Sequence, residues 1–385
     1  MSKRKAGRLK TFAFRSVTVL ISIFITLVLV ELCIRLLAPQ PKYYQPQYLY
    51  SADDELGVVL TPGFEGRMHS AEGSTAIRIN TRGLRDREHE DSMPFRILGL
   101  GDSFTFGTMV ELEKTFLAIL ETRLAKEHTT KSDVVKAGIT GYGTDQEYKL
   151  LTKLFDQYRP NVVLLFFYLN DVLETSMPDF TVEDGYCVPP QNIRRKGRRR
   201  RRTMKRRLAV LMNSLHSPSF LVNRLSNVPA FRKAFSGILA KARREDAKRL
   251  QLYCTENTTK TDEKWALVGD YLKKISAFTS EKGSKLLVAY IPENRQADID
   301  LWGKDMSQFS AEKVTYDRLH PNAQLAEICR KEAIPFLDMT SEFKTKVEGG
   351  GELYFTLDPH FNNTGHDLAA QLIYEKLLDE ELLPD

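Results

Sequence analysis

From residue 95 onward, short apolar runs alternate with longer amphipathic stretches in this 385-residue sequence. The runs are too short for buried helices, and Gly, Asp and Asn follow most of them, which predicts strands. The stretches between them place apolar residues three and four positions apart, which predicts helices. Strand alternating with helix predicts an α/β domain built on a parallel, doubly wound sheet.

Five strands and five helices follow from this alternation. The predicted strands are Phe95–Gly101, a run beginning at Val134, Val162–Tyr168, Lys285–Ile291 and Ile334–Leu337. The predicted helices are Lys114–Lys126, Thr144–Phe155, Glu263–Lys282, Ala323–Lys331 and His366–Leu378. Because Val162–Tyr168 is apolar at every position but the last, we expect helices on both faces of the sheet. Capping boxes are predicted for two helices, with Thr144 and Glu147 in one and Thr364 and Asp367 in the other.

The N-terminus carries a membrane-anchor pattern. Residues 1–15 contain six basic side chains and no acid, and Ser16–Val30 has no charge. Residues 16–38 are long enough to span a bilayer, and the basic flank is expected to stay cytoplasmic, so that the rest is exported. A cleaved signal peptide is the alternative, but no small-x-small cleavage site follows the apolar stretch. A buried core helix is a further alternative, against which the one-sided basic flank argues.

The predicted domain organisation has four parts. Residues 1–15 form a cytoplasmic basic tail, 16–38 a transmembrane anchor, 39–94 a linker and N-terminal extension, and 95–385 the catalytic domain. Residues 39–60 are rich in Pro and Tyr, which favours a linker. The four cysteines are widely spaced without a CxxC pair, which excludes a zinc ribbon or a disulfide-dense scaffold and leaves one disulfide open.

An insert at about 173–262 interrupts the α/β pattern. Within it, Arg194–Arg207 has eleven basic residues in fourteen. Such a block is predicted to be solvated, helical or disordered. Anionic lipid or an acidic polymer is the expected partner on an exported chain, and nucleic acid is not.

Polar residues follow three predicted strands. The first strand leads into Asp102-Ser103, the second into Gly141, and the third into Asn170-Asp171. A loop before the last helix carries Asp358 and His360. Function gathers at the carboxyl ends of strands in open α/β sheets, so these residues are expected at one edge.

These residue types are the parts of an acyl-transfer site. Ser103 is the candidate nucleophile, His360 the base and Asp358 the carboxylate that orients the imidazole. The backbone N–H groups of Ser103 and Gly141 and the amide of Asn170 are the candidate oxyanion donors. We expect Asp102 to shape the turn rather than to react. No clustered His and Asp set suggests a metal, and no cofactor is expected.

The blocks GDSFTFG, AGITGYG, YLND and DPHFN resemble the ordered motifs of the SGNH hydrolases, also called the GDSL esterase/lipase superfamily. The resemblance runs from Arg96 onward, apart from the insert. It implies a flavodoxin-like five-stranded parallel sheet and the site residues just named. The upstream AIRINTRGLRD resembles a segment of membrane-anchored bacterial members.

Two departures from the family pattern bear on the site. Only Pro359 separates Asp358 from His360, whereas two residues are common; this shorter spacing resembles a branch with polysaccharide O-acetyltransferase-like proteins. Tyr168-Leu169 precedes Asn170-Asp171 in place of Gly-x. An alternative pair, Asp317 and His320, has the common spacing but precedes a further helix and strand.

The sequence therefore predicts a serine esterase or O-acyltransferase. Its expected substrates are acyl esters, principally acetyl, of a cell-envelope carbohydrate or lipid. The alternative is a catalytically idle, membrane-anchored protein that binds polysaccharide or lipid, and the intact Ser, Gly, Asn and His set argues against it. A glycosidase would need a well-placed pair of carboxylates, and none stands out.

Overall fold

A computed structural model of the protein describes residues 2–38, 43–70, 72–176, 180–188, 215, 217, 220, 248–256, 258–309 and 314–384. The chain divides into two compact units, Met1–Tyr44 with Lys196–Leu239, and Gln45–Arg195 with Ala240–Asp385. The basic run predicted as a partner-binding segment, Arg194–Arg207, lies outside the described residues.

Twelve strands and eleven α-helices are described. The strands are β1 Tyr43–Tyr44, β2 Tyr50–Asp53, β3 Gly57–Leu60, β4 Glu65–Ser70, β5 Gly73–Arg78, β6 Phe95–Gly101, β7 Ser132–Gly138, β8 Val162–Tyr168, β9 Thr181–Glu183, β10 Tyr186–Val188, β11 Lys285–Ile291 and β12 Phe336–Asp338. The helices are α1 Ser2–Leu37, α2 Ser103–Phe106, α3 Phe116–Glu127, α4 Thr144–Tyr158, α5 Asp171–Glu174, α6 Thr259–Glu281, α7 Asn294–Ala297, α8 Ile299–Phe309, α9 His320–Lys331, α10 Thr340–Glu348 and α11 Asn363–Asp379.

The first unit contains the long helix α1. Among the described residues, one helical segment has the length and composition to cross a bilayer, Phe14–Leu37, with 24 residues and a mean hydropathy of 2.8. Its described side chains are mostly exposed, as in an anchor or a signal sequence and unlike a core helix. Near its end Glu31 and Arg35 form an ion pair of 2.7 Å one turn apart, which reduces the cost of placing either charge in lipid.

The second unit is built on a five-stranded sheet in the order β12-β11-β8-β6-β7, with every neighbouring pair parallel. The doubly wound α/β sheet predicted from the alternation is thereby confirmed. Strands β6, β8 and β11 have the predicted bounds, because each is a mostly apolar run that a turn residue or a proline follows within two positions. Their carboxyl ends meet at one edge, where Gly101 pairs with Gly138 and Ile291 with Tyr168.

Both faces of this sheet are buried, as the apolar run of β8 predicts. One face packs beneath α4, α6 and the N-terminal hairpins, and the other beneath α3, α10 and α11. Successive β8 side chains alternate between the faces because side chains alternate along a strand. Val163, Leu165 and Phe167 lie in the first core, and Val162, Leu164 and Phe166 in the second.

The prediction that residues 39–60 form a linker is wrong for residues 50–60. Strands β2 and β3 pair antiparallel, and the side chains of Leu49, Leu56, Val58 and Leu60 are buried in the first core. Tyr142 Oη donates to Val58 O at 2.6 Å, and Gln146 Nε2 donates to Leu56 O at 2.8 Å. The prolines and tyrosines of this segment suggested a linker, although its four buried apolar side chains pack into the core on the central sheet.

Both predicted capping boxes are also wrong, because each helix begins earlier than the threonine suggests. Thr144 is the first residue of α4, and Gly143 is its N-cap. Glu147 is fully buried rather than capping. Asn362 caps α11 by accepting from Gly365 N at 3.0 Å, which leaves Thr364 inside the helix. Between α10 and α11, Tyr354 and Phe361 form a single β-bridge.

A buried ionic cluster joins the N-terminal extension to β7. His89 lies between Asp86 Oδ2 and Asp133 Oδ1, each 2.8 Å from a ring nitrogen. Arg96 Nε donates to Asp133 at 2.9 Å, and Lys136 Nζ donates to Asp86 at 3.0 Å. Burial alone would lower the pKa of His89, but the hydrogen bonds and charges of the two aspartates outweigh it and raise that pKa.

We expect this raised pKa to give a pH-dependent contribution to stability. The contribution is complete below the ordinary histidine pKa of about 6.5. It is lost as the pH rises through the higher folded-state pKa, because the folded state then no longer holds the extra proton. The thermal unfolding temperature of wild type minus that of His89→Gln should therefore shrink as the pH rises above about 6.5. The exposed His69→Gln variant is the control and should follow wild type; a His89 difference that does not change with pH would contradict the assignment.

Candidate active site

Ser103 lies at the turn between β6 and α2. Asp102 is the N-cap of this helix, and its Oδ1 accepts from Phe104 N at 2.9 Å, which confirms that Asp102 shapes the turn. Gly138 in the neighbouring strand packs against the same helix, because a Cβ there would lie 2.1 Å from Phe106 N. The turn holds the Ser103 side chain at the carboxyl edge of the sheet, with 7% of the residue exposed.

His360 reaches Ser103 from the loop before α11. Its Nε2 lies 2.7 Å from Ser103 Oγ, and its Nδ1 contacts Asp358 Oδ1 in a short hydrogen bond. The carboxylate accepts a hydrogen bond from Nδ1–H, so Nε2 is left as the acceptor for the serine hydroxyl. The backbone N–H of His360 also donates to Asp358 Oδ1 at 3.0 Å. A single intervening residue is therefore sufficient for this Asp–His contact.

The charge state of Asp358 suits this arrangement. Burial would raise the pKa of this carboxyl, but the hydrogen bond and charge of His360 outweigh it and lower the pKa. Asp358 is thus an anion at neutral pH, ready to stabilise a protonated imidazole.

The alternative pair lies elsewhere. His320 is the first residue of α9, and Asp317 Oδ1 accepts from Leu319 N at 2.9 Å at the start of that helix. Burial lowers the pKa of His320. The imidazole that is hydrogen-bonded to Ser103 Oγ is that of His360.

The candidate oxyanion donors occupy the loops after β7 and β8. Gly141 follows β7 with a φ of +80°, a conformation that side-chain-bearing residues rarely adopt. The nearest atom to a Cβ built there is Phe180 Cε2 at 3.9 Å, so the space beside this glycine is open. Asn170 is the N-cap of α5 and is 8% exposed.

The Asn170 amide is tied to the nucleophile through one carboxylate oxygen. Asp102 Oδ2 lies 3.2 Å from Ser103 Oγ and 3.1 Å from Asn170 Nδ2. The second Nδ2 hydrogen is directed to Glu174 Oε2 at 2.8 Å. Asn170 Oδ1 is buried without a partner among the described residues. Both amide N–H groups are thus held by carboxyl groups at the edge of the sheet.

Four carboxyl groups, three of them buried and one half-buried, lie behind this edge. Burial is the largest cause that raises their pKa values, and repulsion from neighbouring carboxylates adds to the rise for Glu147, Asp171 and Glu174. The pKa of Glu174 rises to about 8, and those of Glu147 and Asp171 rise well above their ordinary values. The four carboxyl groups are those of Asp102, Glu147, Asp171 and Glu174. Within the described part of the chain, no three His, Cys, Asp or Glu side chains have the arrangement of a metal site.

Arg85 is a contributor that the sequence reasoning missed. Its side chain is 2% exposed and donates to Phe106 O at 2.8 Å, Gly107 O at 2.6 Å and Val110 O at 2.7 Å. Phe106 and Gly107 end the helix that begins at Ser103 and Val110 follows it, so the guanidinium fixes the far side of the nucleophile turn. The available signal was the second arginine in RGLRD. The family resemblance includes this segment but assigns that arginine no role.

At the carboxyl edge of this parallel α/β sheet, a hydroxyl is hydrogen-bonded to an imidazole, and the imidazole to a carboxylate. This is the architecture of a serine hydrolase. The sequence model described as "GDSL-like Lipase/Acylhydrolase family" matches residues 100–325, more than half of the chain. The chain therefore belongs to this family and is an ester hydrolase of the SGNH type. The matched segment contains Ser103, Gly141 and Asn170 but ends before His360.

Several solved structures are similar to this chain at low sequence identity and with TM-scores below 0.5. A structure titled TesA is 12% identical, with a TM-score of 0.40 over 75% of this chain and 99% of that chain. The acetyl xylan esterase AlAXEase is 12% identical, with a TM-score of 0.40 over 73% and 98%. A catalytic variant of Axe2, an acetylxylan esterase from Geobacillus stearothermophilus, is 12% identical, with a TM-score of 0.38 over 74% and 95%. No curated protein sequence matches the chain.

Proposed function

We propose that the protein is a serine esterase or O-acyltransferase that works through an acyl-enzyme on Ser103. The observation that carries the proposal is the hydrogen-bonded series from Ser103 Oγ to His360 Nε2, at 2.7 Å, and from His360 Nδ1 to Asp358. A serine hydroxyl is a weak nucleophile until a base accepts its proton, and this geometry provides the base together with its orienting anion.

The proposed first step forms the acyl-enzyme. Ser103 Oγ attacks the acyl carbonyl carbon while its proton passes to His360 Nε2, and the carbonyl oxygen becomes an oxyanion. Collapse of this intermediate breaks the ester C–O bond, and His360 returns the proton to the leaving alcohol. In the second step water, or the hydroxyl of an acceptor, attacks the acyl carbon with His360 as base. Water gives hydrolysis and a hydroxyl gives transfer.

The oxyanion is proposed to bind the N–H groups of Ser103 and Gly141 and the amide of Asn170. For Asn170 this requires one N–H to leave its carboxyl partner. Burial and the nearby Asp102 raise the pKa of Glu174 to about 8, so Glu174 is mostly neutral at pH 7. A neutral carboxyl accepts a hydrogen bond less strongly than a carboxylate, so the developing oxyanion competes for that N–H successfully.

Short acyl groups are the proposed substrates. Ser103 is only 7% exposed, and the rings of Tyr168 and His360 both pack on Phe104, with centroids 4.5 Å and 4.8 Å from its ring. This crowding favours an acetyl group over a long acyl chain. The proposed carriers are carbohydrates or lipids of the cell envelope, because the apolar N-terminal helix with its basic flank favours an exported, membrane-held domain. The run Arg194–Arg207 is proposed to bind an anionic polymer or lipid there.

The proposal is tested with full-length protein in detergent micelles. We expect turnover of p-nitrophenyl acetate, slower turnover of the butyrate and little of the octanoate. A fluorophosphonate probe should add to one serine, and peptide mapping should place it on Ser103. A folded protein with no turnover and no label would contradict the enzyme and support the idle binding protein.

Hydrolysis and transfer are separated by the fate of the acyl-enzyme. With glycerol added as an acceptor, a transferase should form acetylglycerol at the expense of acetate. A hydrolase should release as much acetate per p-nitrophenol as it does without glycerol. Mass spectrometry of the products gives this ratio directly.

A further inference from the structure

The loop that carries Asp358 and His360 is closed tightly at its root. Tyr354 and Phe361 form a bridge, Phe355 N donates to His360 O at 3.0 Å, and Asn362 N donates to Leu353 O at 3.0 Å. These bonds fix where the loop leaves and rejoins the fold. They do not fix its outer arm, which contains Thr356 and Leu357.

The outer arm is held from another part of the molecule. Glu72 Oε1 accepts from Thr356 N at 2.6 Å and from Leu357 N at 3.1 Å. Leu357 directly precedes Asp358, whose carboxylate binds both the ring and the backbone N–H of His360. Because Thr356 is exposed and Leu357 only half-buried, the hydrophobic core does little to hold this arm.

Glu72 is itself well anchored. It lies in the two-residue connection between Ser70 and Gly73, where β4 turns into β5, and its N–H donates to Ser70 Oγ at 3.1 Å. In β5, buried Thr75 donates from Oγ1 to Met109 O at 2.8 Å. Met109 follows the nucleophile helix closely in sequence. The β4–β5 hairpin therefore contacts the segment after Ser103 as well as the loop before His360.

We propose that Glu72 is a positioning residue of the active site. Its carboxylate holds the outer arm of the base loop, and through that arm sets Asp358 and His360 against Ser103, which lies 257 residues before His360. The inference rests on the proposed acyl-enzyme function. Misplacing a catalytic group by about 1 Å can cost about 10²-fold in rate, so a modest loosening of this arm is expected to be visible in kcat.

The test uses four variants of the full-length protein in micelles with p-nitrophenyl acetate. Glu72→Ala should lower kcat about 10- to 30-fold per fluorophosphonate-titrated site, with KM changed less than about twofold. Glu72→Gln keeps an oxygen at the Oε1 position, and Oε2 makes no hydrogen bond among the described residues, so Gln should retain at least about a third of kcat. Glu72→Asp, one methylene shorter, should fall between them. Glu65→Ala, in the same hairpin, should match wild type.

Hydrogen exchange supplies a readout independent of turnover. The amides of Thr356 and Leu357 should exchange faster in Glu72→Ala than in wild type, with the Tyr354–Phe361 bridge unchanged. Wild-type kcat per titrated site in Glu72→Ala would overturn the inference, and so would equal losses in Gln and Ala. If Glu72→Ala reduces the number of sites that label, the Glu72→Asp variant decides. Wild-type kcat per site in Glu72→Asp would overturn the inference, and a partial loss would support it. Failure of wild type to label at Ser103 would instead refute the proposed function, and the exchange result would still judge the Glu72 contact.

Discussion

Replacing Ser103 by Ala or His360 by Gln is expected to lower kcat/KM for p-nitrophenyl acetate by about 10⁴- to 10⁶-fold, with the fold intact. On the proposed mechanism, Ser103→Ala removes the atom that carries the acyl group. His360→Gln then removes the proposed base for the hydroxyl proton and leaves only the oxyanion donors and binding to assist reaction with water. Steady-state kinetics measure the loss, and circular dichroism checks the fold.

The double variant gives a sharper result. Ser103 and His360 act on the same proton, so removing both should cost no more than removing one. Losses that multiply would show that the two side chains work independently, and the hydrogen bond of 2.7 Å between them would then have no catalytic meaning.

His320→Gln is the matched control for the base. His320 belongs to the pair with the common family spacing, and it begins α9 rather than contacting Ser103. This variant should keep kcat/KM within about twofold of wild type. Loss of activity in His320→Gln together with retention in His360→Gln would reverse the assignment of the base.

Gly138→Ala is expected to produce the largest loss of stability among single-methyl additions at the site. A Cβ at this position would lie 2.1 Å from Phe106 N and 2.3 Å from Thr105 C, which are backbone atoms of the nucleophile helix and cannot rotate away. The helix or the strand must shift, and we expect a cost of about 3 kcal/mol in the free energy of unfolding. The unfolding temperature should fall by about 5–10 °C. Activity should fall too, because the shifted helix begins at Ser103.

Gly303→Ala is the control for the added methyl. Gly303 lies inside α8, and no atom would lie within 4 Å of its Cβ. Alanine is favoured over glycine inside a helix by about 1 kcal/mol, so the unfolding temperature should stay level or rise. A Gly138→Ala protein as stable as wild type would show that the strand and helix are farther apart than described.

Periodicity and turn residues were enough to predict the five-stranded sheet. A continuous apolar run such as β8 permits one interpretation in an α/β pattern, and its polar end at Asn170 marks the edge where side chains gather. The positions of Ser103 and His360 followed from the same logic. Spacing could not decide between His320 and His360, because that choice depends on which loop returns to Ser103 in three dimensions.

Other features depend on tertiary contacts that a local pattern does not contain. The side chains of Leu49 and Val58 are buried only because the domain provides a face to cover them. Gly143, one position before the predicted threonine, is the N-cap of α4, and no side chain fits there because Thr175 N would lie 2.6 Å from any Cβ. Arg85 and Glu72 bind backbone atoms, so their partners leave no trace in residue identity.

The loop that carries Asp358 and His360 is synthesised after all the strands of the central sheet. Strand β12 ends at Asp338, so every strand of the central sheet is already translated before Asp358 and His360 leave the ribosome. Domains begin to fold during synthesis from their N-terminal side, so the sheet and Ser103 can be in place while the serine still lacks its base. On the proposed mechanism, the nascent enzyme cannot form an acyl-enzyme until the loop docks and α11 packs beside α3.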